Sequence, residues 1–274
     1  MARMLASARP WTGVLLALPL LLFLLAAVVW PLGRLAVAPL TGSGRTALAA
    51  VLAAGRYRTA LVSSLTLSAG AAVAAVVLSL VPAWVLARER FAGRAAVRTL
   101  LALPLTFSGL VVGFLMLVLV GQSGAVPRVI GFLAGRERLG GAASTLAGLF
   151  LAYLYFEVPR AVMTLEAAFR SFPDDLDAAA RVLGAGPLER LLRIRLPLSA
   201  PALRSALAIT FSAAMGSFGV ALVLARRFPV APLELYAELA GPRDDEVAGA
   251  LCLVLAAITL AVERLLVPRA GGAR

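Results

Sequence analysis

Glu157 and Arg160 stand three residues apart inside a long apolar stretch, and few other residues of this sequence offer chemistry at membrane depth. Their i,i+3 spacing puts them on one helix face, where they can form an ion pair. A second polar stretch is 177–197, D-A-A-A-R-V-L-G-A-G-P-L-E-R-L-L-R-I-R-L-P. The chain has no histidine, no lysine and a single cysteine, Cys252. Imidazole-dependent nucleophilic catalysis is therefore excluded. So is a phosphate-binding loop built on lysine, and clustered Cys/His metal ligation lacks its residues. No cofactor is expected, no metal site, and no ATP site of its own.

These residues sit in a chain of 274 residues that is 61% hydrophobic. Soluble domains carry about 45–50% apolar residues, so the lipid bilayer is the expected solvent. Six stretches reach the length of about 20 residues that a spanning helix needs: 12–32, 60–86, 99–121, 142–165, 202–224 and 246–267. The first follows Arg3 and Arg9, runs to Trp30-Pro31 and lacks a small-x-small cleavage pattern, so it is read as a retained anchor. The fold class is an all-α integral membrane protein with six spans. Four polar segments, 1–11, 87–98, 166–201 and 268–274, alternate with three on the opposite side, 33–59, 122–141 and 225–245, and the densest arginine clusters fall at 88–98 and 190–195. The positive-inside tendency then places both termini and the 177–197 segment in the cytoplasm. The net charge of +12 is explained by these topology signals, and no nucleic-acid partner is expected.

The polar segment reads as two short helices about a glycine. Pro173 suits a first helical position, Asp174, Asp175 and Asp177 suit the positive end of the dipole, and Ala178 to Ala180 favour helix. Gly184 is placed to stop the first helix and Pro187 to start the second, in which Leu188, Leu191 and Leu192 share a face and Glu189 can pair with Arg193. Pro197 is expected to end it. Such a pair either docks on a cytoplasmic protein or lies along the lipid interface.

The segment resembles the cytoplasmic loop of permease subunits in binding-protein-dependent ABC importers, E-A-A, three residues, glycine, nine residues, I-x-L-P. Here Ala179 and Ala180 precede Gly184 by the required spacing, Ala185 follows it, and Ile194, Leu196 and Pro197 complete the pattern. The acidic position falls on Ala178, with Asp177 one residue earlier, about 100° around the helix. G-S-F-G-V-A-L at 216–222 and P-L-E-L-Y-A-E-L at 232–239 resemble the same family, leaning towards its thiamine, iron and polyamine branch beside that for oxyanions.

The resemblance implies the type I importer fold, with an N-terminal part at 1–57, a permease domain at 58–268 holding the coupling loop at 170–200, and a tail at 269–274. It implies a multi-pass protein of the cell (inner) membrane. Its partners would be cytoplasmic ABC ATPase subunits, a second permease subunit in a homo- or heterodimer, and an extracytoplasmic solute-binding protein. Asp177, Ala179, Ala180, Gly184, Ala185, Leu188, Ile194 and Pro197 would contact the ATPase. Phe218 would lie where related permeases can carry a constriction, with aromatic packing as the other reading.

Glu157 and Arg160 are either a brace near the loop-side end of their span or part of the solute pathway. Ser217 and Phe218 are further pathway candidates, together with Ser63, Ser64, Thr66, Ser68, Thr106, Ser108 and Ser212, all of which can instead bond within or between helices. Gly109 and Gly113 form a G-x-x-x-G that serves packing within the subunit or dimerisation. A secondary transporter is the alternative, but it calls for ionisable groups or broken helices at mid-membrane.

Overall fold

A computed structural model describes residues 10–37, 44–121, 124–133, 145–225, 228–240 and 245–267, all in helices and their connections. They fall into two compact units, one within 1–54 and 238–254, the other within 55–237 and 255–274. Four stretches are long and apolar enough to cross a membrane: Gly55–Arg88, Gly109–Leu133, Leu146–Arg170 and Glu246–Leu266. Ala200–Met215 and Phe218–Leu224 meet at a 51° bend and together make a fifth. The expected first span lies in helix from Pro10 through Val37, in which the apolar part Ala17–Val29 is shorter than a span.

In the first unit, α1 (Pro10–Leu24) passes through a π-helical turn at Leu25–Val29 into α2 (Trp30–Val37), and α3 (Gly44–Ala53) follows. Leu20, Phe23, Leu25, Val29 and Trp30 are exposed, as side chains that face lipid should be.

The second unit is built on α4 (Gly55–Arg88), α8 (Leu146–Arg170) and α12 (Ala200–Met215), which pack against one another. Lipid is as apolar as the side chains, so close approach of backbones has to supply the association. The sequence provides it with small residues. Ala60, Ser64, Ser68, Ala71, Ala72, Ala75, Ser79 and Ala83 form the buried face of α4, and Val62, Val73, Val77 and Val81 are exposed. Ala75, Val76 and Ala83 meet Ala161, Val162 and Leu165 of α8 and Ala206 of α12 in one core. Phe211 and Met215 of α12 pack with Ala72 and with Leu255, Ile258 and Val262 of α15 (Asp245–Leu266).

The stretch expected as a continuous span at 99–121 is broken. Helix α5 (Arg94–Ala102) gives way to a 3-10 turn at Leu103–Thr106, and α6 (Gly109–Val120) starts afresh with the Ser108 hydroxyl accepting from the Val111 amide at 3.4 Å. Pro104, which lacks an N–H, sits in the turn. Helix α7 (Ala125–Leu133) follows. A second break lies between α12 and α13 (Phe218–Leu224), at Gly216 and Ser217.

These two breaks face each other. Helix α6 packs on α13, and the glycines make the approach possible. A Cβ on Gly219 would stand 2.7 Å from the Leu110 amide nitrogen, and one on Gly113 would stand 2.7 Å from Val223 Cβ. The G-x-x-x-G face therefore packs inside the subunit.

The polar span residues mostly bond to neighbouring structure. Ser64 Oγ of α4 accepts from the Ala231 amide at 2.8 Å and caps α14 (Ala231–Ala240), and Arg56 pairs with Glu234 at 2.5 Å. Thr66 and Thr106 donate to carbonyls of their own turns, Ser79 donates to the Val158 carbonyl, and Ser212 donates to Glu263 at 2.9 Å. Ser64→Ala is expected to lower stability by about 1 kcal/mol through loss of the cap. Thermal unfolding of the purified protein checks it, and an unchanged melting temperature would deny Ser64 this role.

Candidate functional site

Helix α9 (Asp174–Val182) has Pro173 at its N-cap, one position before the expected one. Its end is a Schellman turn. The Ala185 amide donates to the Ala180 carbonyl at 3.0 Å, the Gly184 amide donates to the Arg181 carbonyl at 3.0 Å, and Gly184 has φ +81°. These bonds satisfy carbonyls that the helix end would leave free. Ala180 turns inward, whereas Ala178 and Ala179 are exposed. Val182 is 88% and Leu183 87% exposed, and Leu176 is 45% exposed. The sequence did not mark these three out, although their exposure leaves apolar surface on and just after α9 that none of the described residues covers. Placement of the Asp177 and Leu188 side chains lies outside the described set.

The second helix starts at Pro187 as expected and continues further than expected. Residues Pro187–Arg190 lead into a π-helical turn at Leu191–Arg195 and then Leu196–Leu198, so Pro197 does not end it. A proline inside a helix removes a donor and crowds the preceding carbonyl, and the wider turn before it relieves that clash. Glu189 and Arg193 pair at 2.8 Å, both well exposed. Ile194 is half-buried and Pro197 exposed.

Arg195, the variable position of the loop pattern, lies with its guanidinium carbon 4.2 Å from the Trp84 ring centroid. Trp84 meets Phe169 and Phe172 edge-on at 5.4 and 6.0 Å, and Arg88 covers Trp84 and Phe172 and donates to the Phe172 carbonyl. The return segment of the loop is thereby stacked on the ends of α4 and α8.

Bracing at this end comes from a residue the sequence did not single out. Glu166 of α8 is buried and accepts from Arg98 Nε of α5 at 2.6 Å and from Arg170 at 2.6 Å. Arg98 and Arg94 also donate to the Leu86 carbonyl at the end of α4. The Glu166–Arg170 spacing was visible in the sequence, but its partner in α5 was not.

Glu157 and Arg160 lie elsewhere. Glu157 is the twelfth residue of α8, about 20 Å from the end that leads to α9. Arg160 donates through one terminal nitrogen to both Glu157 oxygens at 2.6 Å. The pair joins adjacent turns of one helix and, among the described residues, ties α8 to no other element. Both residues line a cleft of about 330 Å³ with Ser217 and Phe218. The remaining wall comes from the α5–α6 break at Leu105, Phe107 and Gly109 and from Gly216 and Gly219. Phe218 also packs on Tyr236 with ring centroids 5.2 Å apart, so it serves packing and cleft lining together. The four residues, separated by up to 61 positions in sequence, thus meet where two broken helices face an intact one.

The model of the family described as binding-protein-dependent transport system inner membrane component matches residues 75–269. The molybdenum transport system permease protein ModB of Mycobacterium tuberculosis is 32% identical over 213 residues, 76% of this chain and 78% of that protein. The ModB of Azotobacter vinelandii is 33% identical over 147 residues, 54% of this chain and 63% of the Azotobacter protein's length, which is under two thirds. A crystal structure of a bacterial alginate ABC transporter in complex with alginate pentasaccharide-bound periplasmic protein superposes with a TM-score of 0.77 at 20% identity, covering 93% of this chain and 92% of that one. This likeness shows the fold. The relatives' names belong to molybdenum systems, away from the thiamine, iron and polyamine branch favoured by residues 216–239. This chain belongs to the family of binding-protein-dependent transport system inner membrane components and is a multi-pass permease subunit of an ABC importer, in which ATP is hydrolysed by a partner chain.

Proposed function

We propose that this subunit carries molybdate, the oxyanion form of molybdenum in water, into the cell, with the permease domain at 58–268, a separate N-terminal part at 1–57 and a tail at 269–274. The names of its relatives support the solute. A periplasmic binding protein delivers the ion to one face. A second permease subunit completes the pathway, and a cytoplasmic ATPase engages the opposite face. Both termini and the 170–200 loop are cytoplasmic, in keeping with the arginines at 88–98 and 190–195.

The observation that carries the coupling role is the exposure of Val182 and Leu183 at the end of α9, beside the Gly184 turn. Val182 and Leu183 fit a cleft in the ATPase, and Asp177, Ala179, Ala180, Gly184, Ala185 and Leu188 belong to the same coupling segment. Ile194 and Pro197 lie on the return segment, where Arg195 joins it to Trp84. Movement of the ATPase thereby reaches α4 and α8 through packed side chains.

Leu183→Glu tests this reading. The residue touches little within its own subunit, so the permease is expected to insert and fold. Removing an apolar anchor of about 2 kcal/mol and adding a charge is expected to weaken ATPase binding by about 30-fold or more. Co-purification of the ATPase with tagged permease measures the effect, and molybdate uptake into proteoliposomes measures transport. Undiminished co-purification would place α9 at the lipid interface instead.

A further inference from the structure

The Glu157–Arg160 pair is one-sided. Both oxygens of Glu157 are occupied by a single nitrogen of Arg160, and the carboxylate side chain is 3% exposed. The Arg160 side chain is 29% exposed, and among the described residues Nε and the other terminal nitrogen bond to nothing. Both residues line the cleft, but the carboxylate is closed off and the guanidinium is open.

A charge pair at this depth is costly, and it is normally retained for linkage or for function. Among the described residues the pair links no two elements, because it spans one turn of α8. The linking role at the loop-side end belongs to Glu166 with Arg98 and Arg170. The cleft walls are formed by the two helix breaks, an arrangement that membrane proteins use where irregular backbone lines a cavity. Ser217 adds a hydroxyl that makes no hydrogen bond among the described residues.

We propose that Arg160 is the contact the oxyanion meets during its passage, and that Glu157 is the resident counter-ion which the passing anion relieves. This inference rests on the molybdate reading. A guanidinium offers planar donors that match a tetrahedral oxyanion. An uncompensated arginine in a low-dielectric cleft would hold a dianion too tightly to release it. Glu157 weakens that grip, as conduction requires a site that also lets go. In the absence of solute the two close on each other, leaving no bare charge in the membrane.

The test uses the complete complex in proteoliposomes, with molybdate-loaded binding protein in excess, and four variants: Glu157→Gln, Arg160→Gln, Arg160→Lys and the double Glu157→Gln/Arg160→Gln. Arg160→Gln is expected to lower uptake by about tenfold or more, the equivalent of one charged hydrogen bond. The double variant is expected to be as slow as Arg160→Gln, and Arg160→Lys intermediate. Glu157→Gln is expected to slow uptake for the opposite reason. Molybdenum retained by the permease–ATPase complex after the binding protein is washed away should rise above wild type in Glu157→Gln and fall below it in Arg160→Gln.

An internal structural pair would behave differently. The double variant, with no unpaired charge, would transport as wild type, and that result overturns the proposal. Equal molybdenum retention in the two single variants overturns it as well. A wild-type complex that hydrolyses ATP but imports no molybdate would instead refute the molybdate reading.

Discussion

Gly184→Val is expected to abolish productive transport while the permease still inserts, folds and binds its ATPase. Gly184 has φ +81°, a region that side chains with a Cβ avoid by about 1–2 kcal/mol and that β-branched ones avoid more strongly. Nothing lies within 4 Å of the position a Cβ would take, so the penalty comes from the backbone and not from a clash. Relief is available only by opening the Schellman turn, which releases the Ala185–Ala180 and Gly184–Arg181 bonds and alters the angle at which α9 leaves for Pro187. A penalty of this size already shifts the population of the correct geometry by about tenfold. The expected ranking for uptake is glycine, then asparagine, then alanine, then valine, because asparagine tolerates this backbone region best among the substitutes. ATP hydrolysis by the assembled complex should persist in the valine variant, so that the ATP used per ion imported rises. Wild-type transport by Gly184→Val would show that the angle of this turn does not couple the two processes.

Gly219→Ala is expected to strike the fold instead. Its Cβ would stand 2.7 Å from the Leu110 nitrogen and 3.0 Å from the Gly109 carbonyl carbon, both backbone atoms that cannot rotate away. Overpacking of this kind costs about 1–3 kcal/mol, and the upper end applies because α6 and α13 must move apart as units. Gly109→Ala is the matched comparison. Its closest neighbour would be the Val220 nitrogen at 3.3 Å, which a small shift accommodates. Thermal unfolding in detergent should therefore show a drop of several degrees for Gly219→Ala and a much smaller one for Gly109→Ala. The separation of the helices would also deform the cleft, so uptake should fall with stability. If Gly219→Ala left the melting temperature unchanged, the close α6–α13 contact would not be a determinant of the fold.

The sequence by itself determined the class of solvent, the approximate places of the apolar helices and the glycine-centred loop. Each is a local property: the length of an apolar run, proline at Pro187, a glycine able to adopt positive φ at 184. The spacing from Ala179 to Pro197 also carried the family, which the match over residues 75–269 then established. Where an expectation depended on what lay across from a residue, the sequence was silent or misleading. It read 99–121 as one helix, because apolar residues run through Pro104 without a change of composition. It left G-x-x-x-G open between packing and dimerisation, and Val220 and Val223 of α13 decided for packing. It left Glu157 and Arg160 open between a brace near a span end and the solute pathway, and did not show that α8 runs on to Arg170, where Glu166 holds the ion pairs. A helix that is apolar on every side carries no periodic mark of which face meets protein and which meets lipid. That choice is made by the neighbours' shapes, and only the packed helices brought Glu157, Arg160, Ser217 and Phe218 around a single cleft.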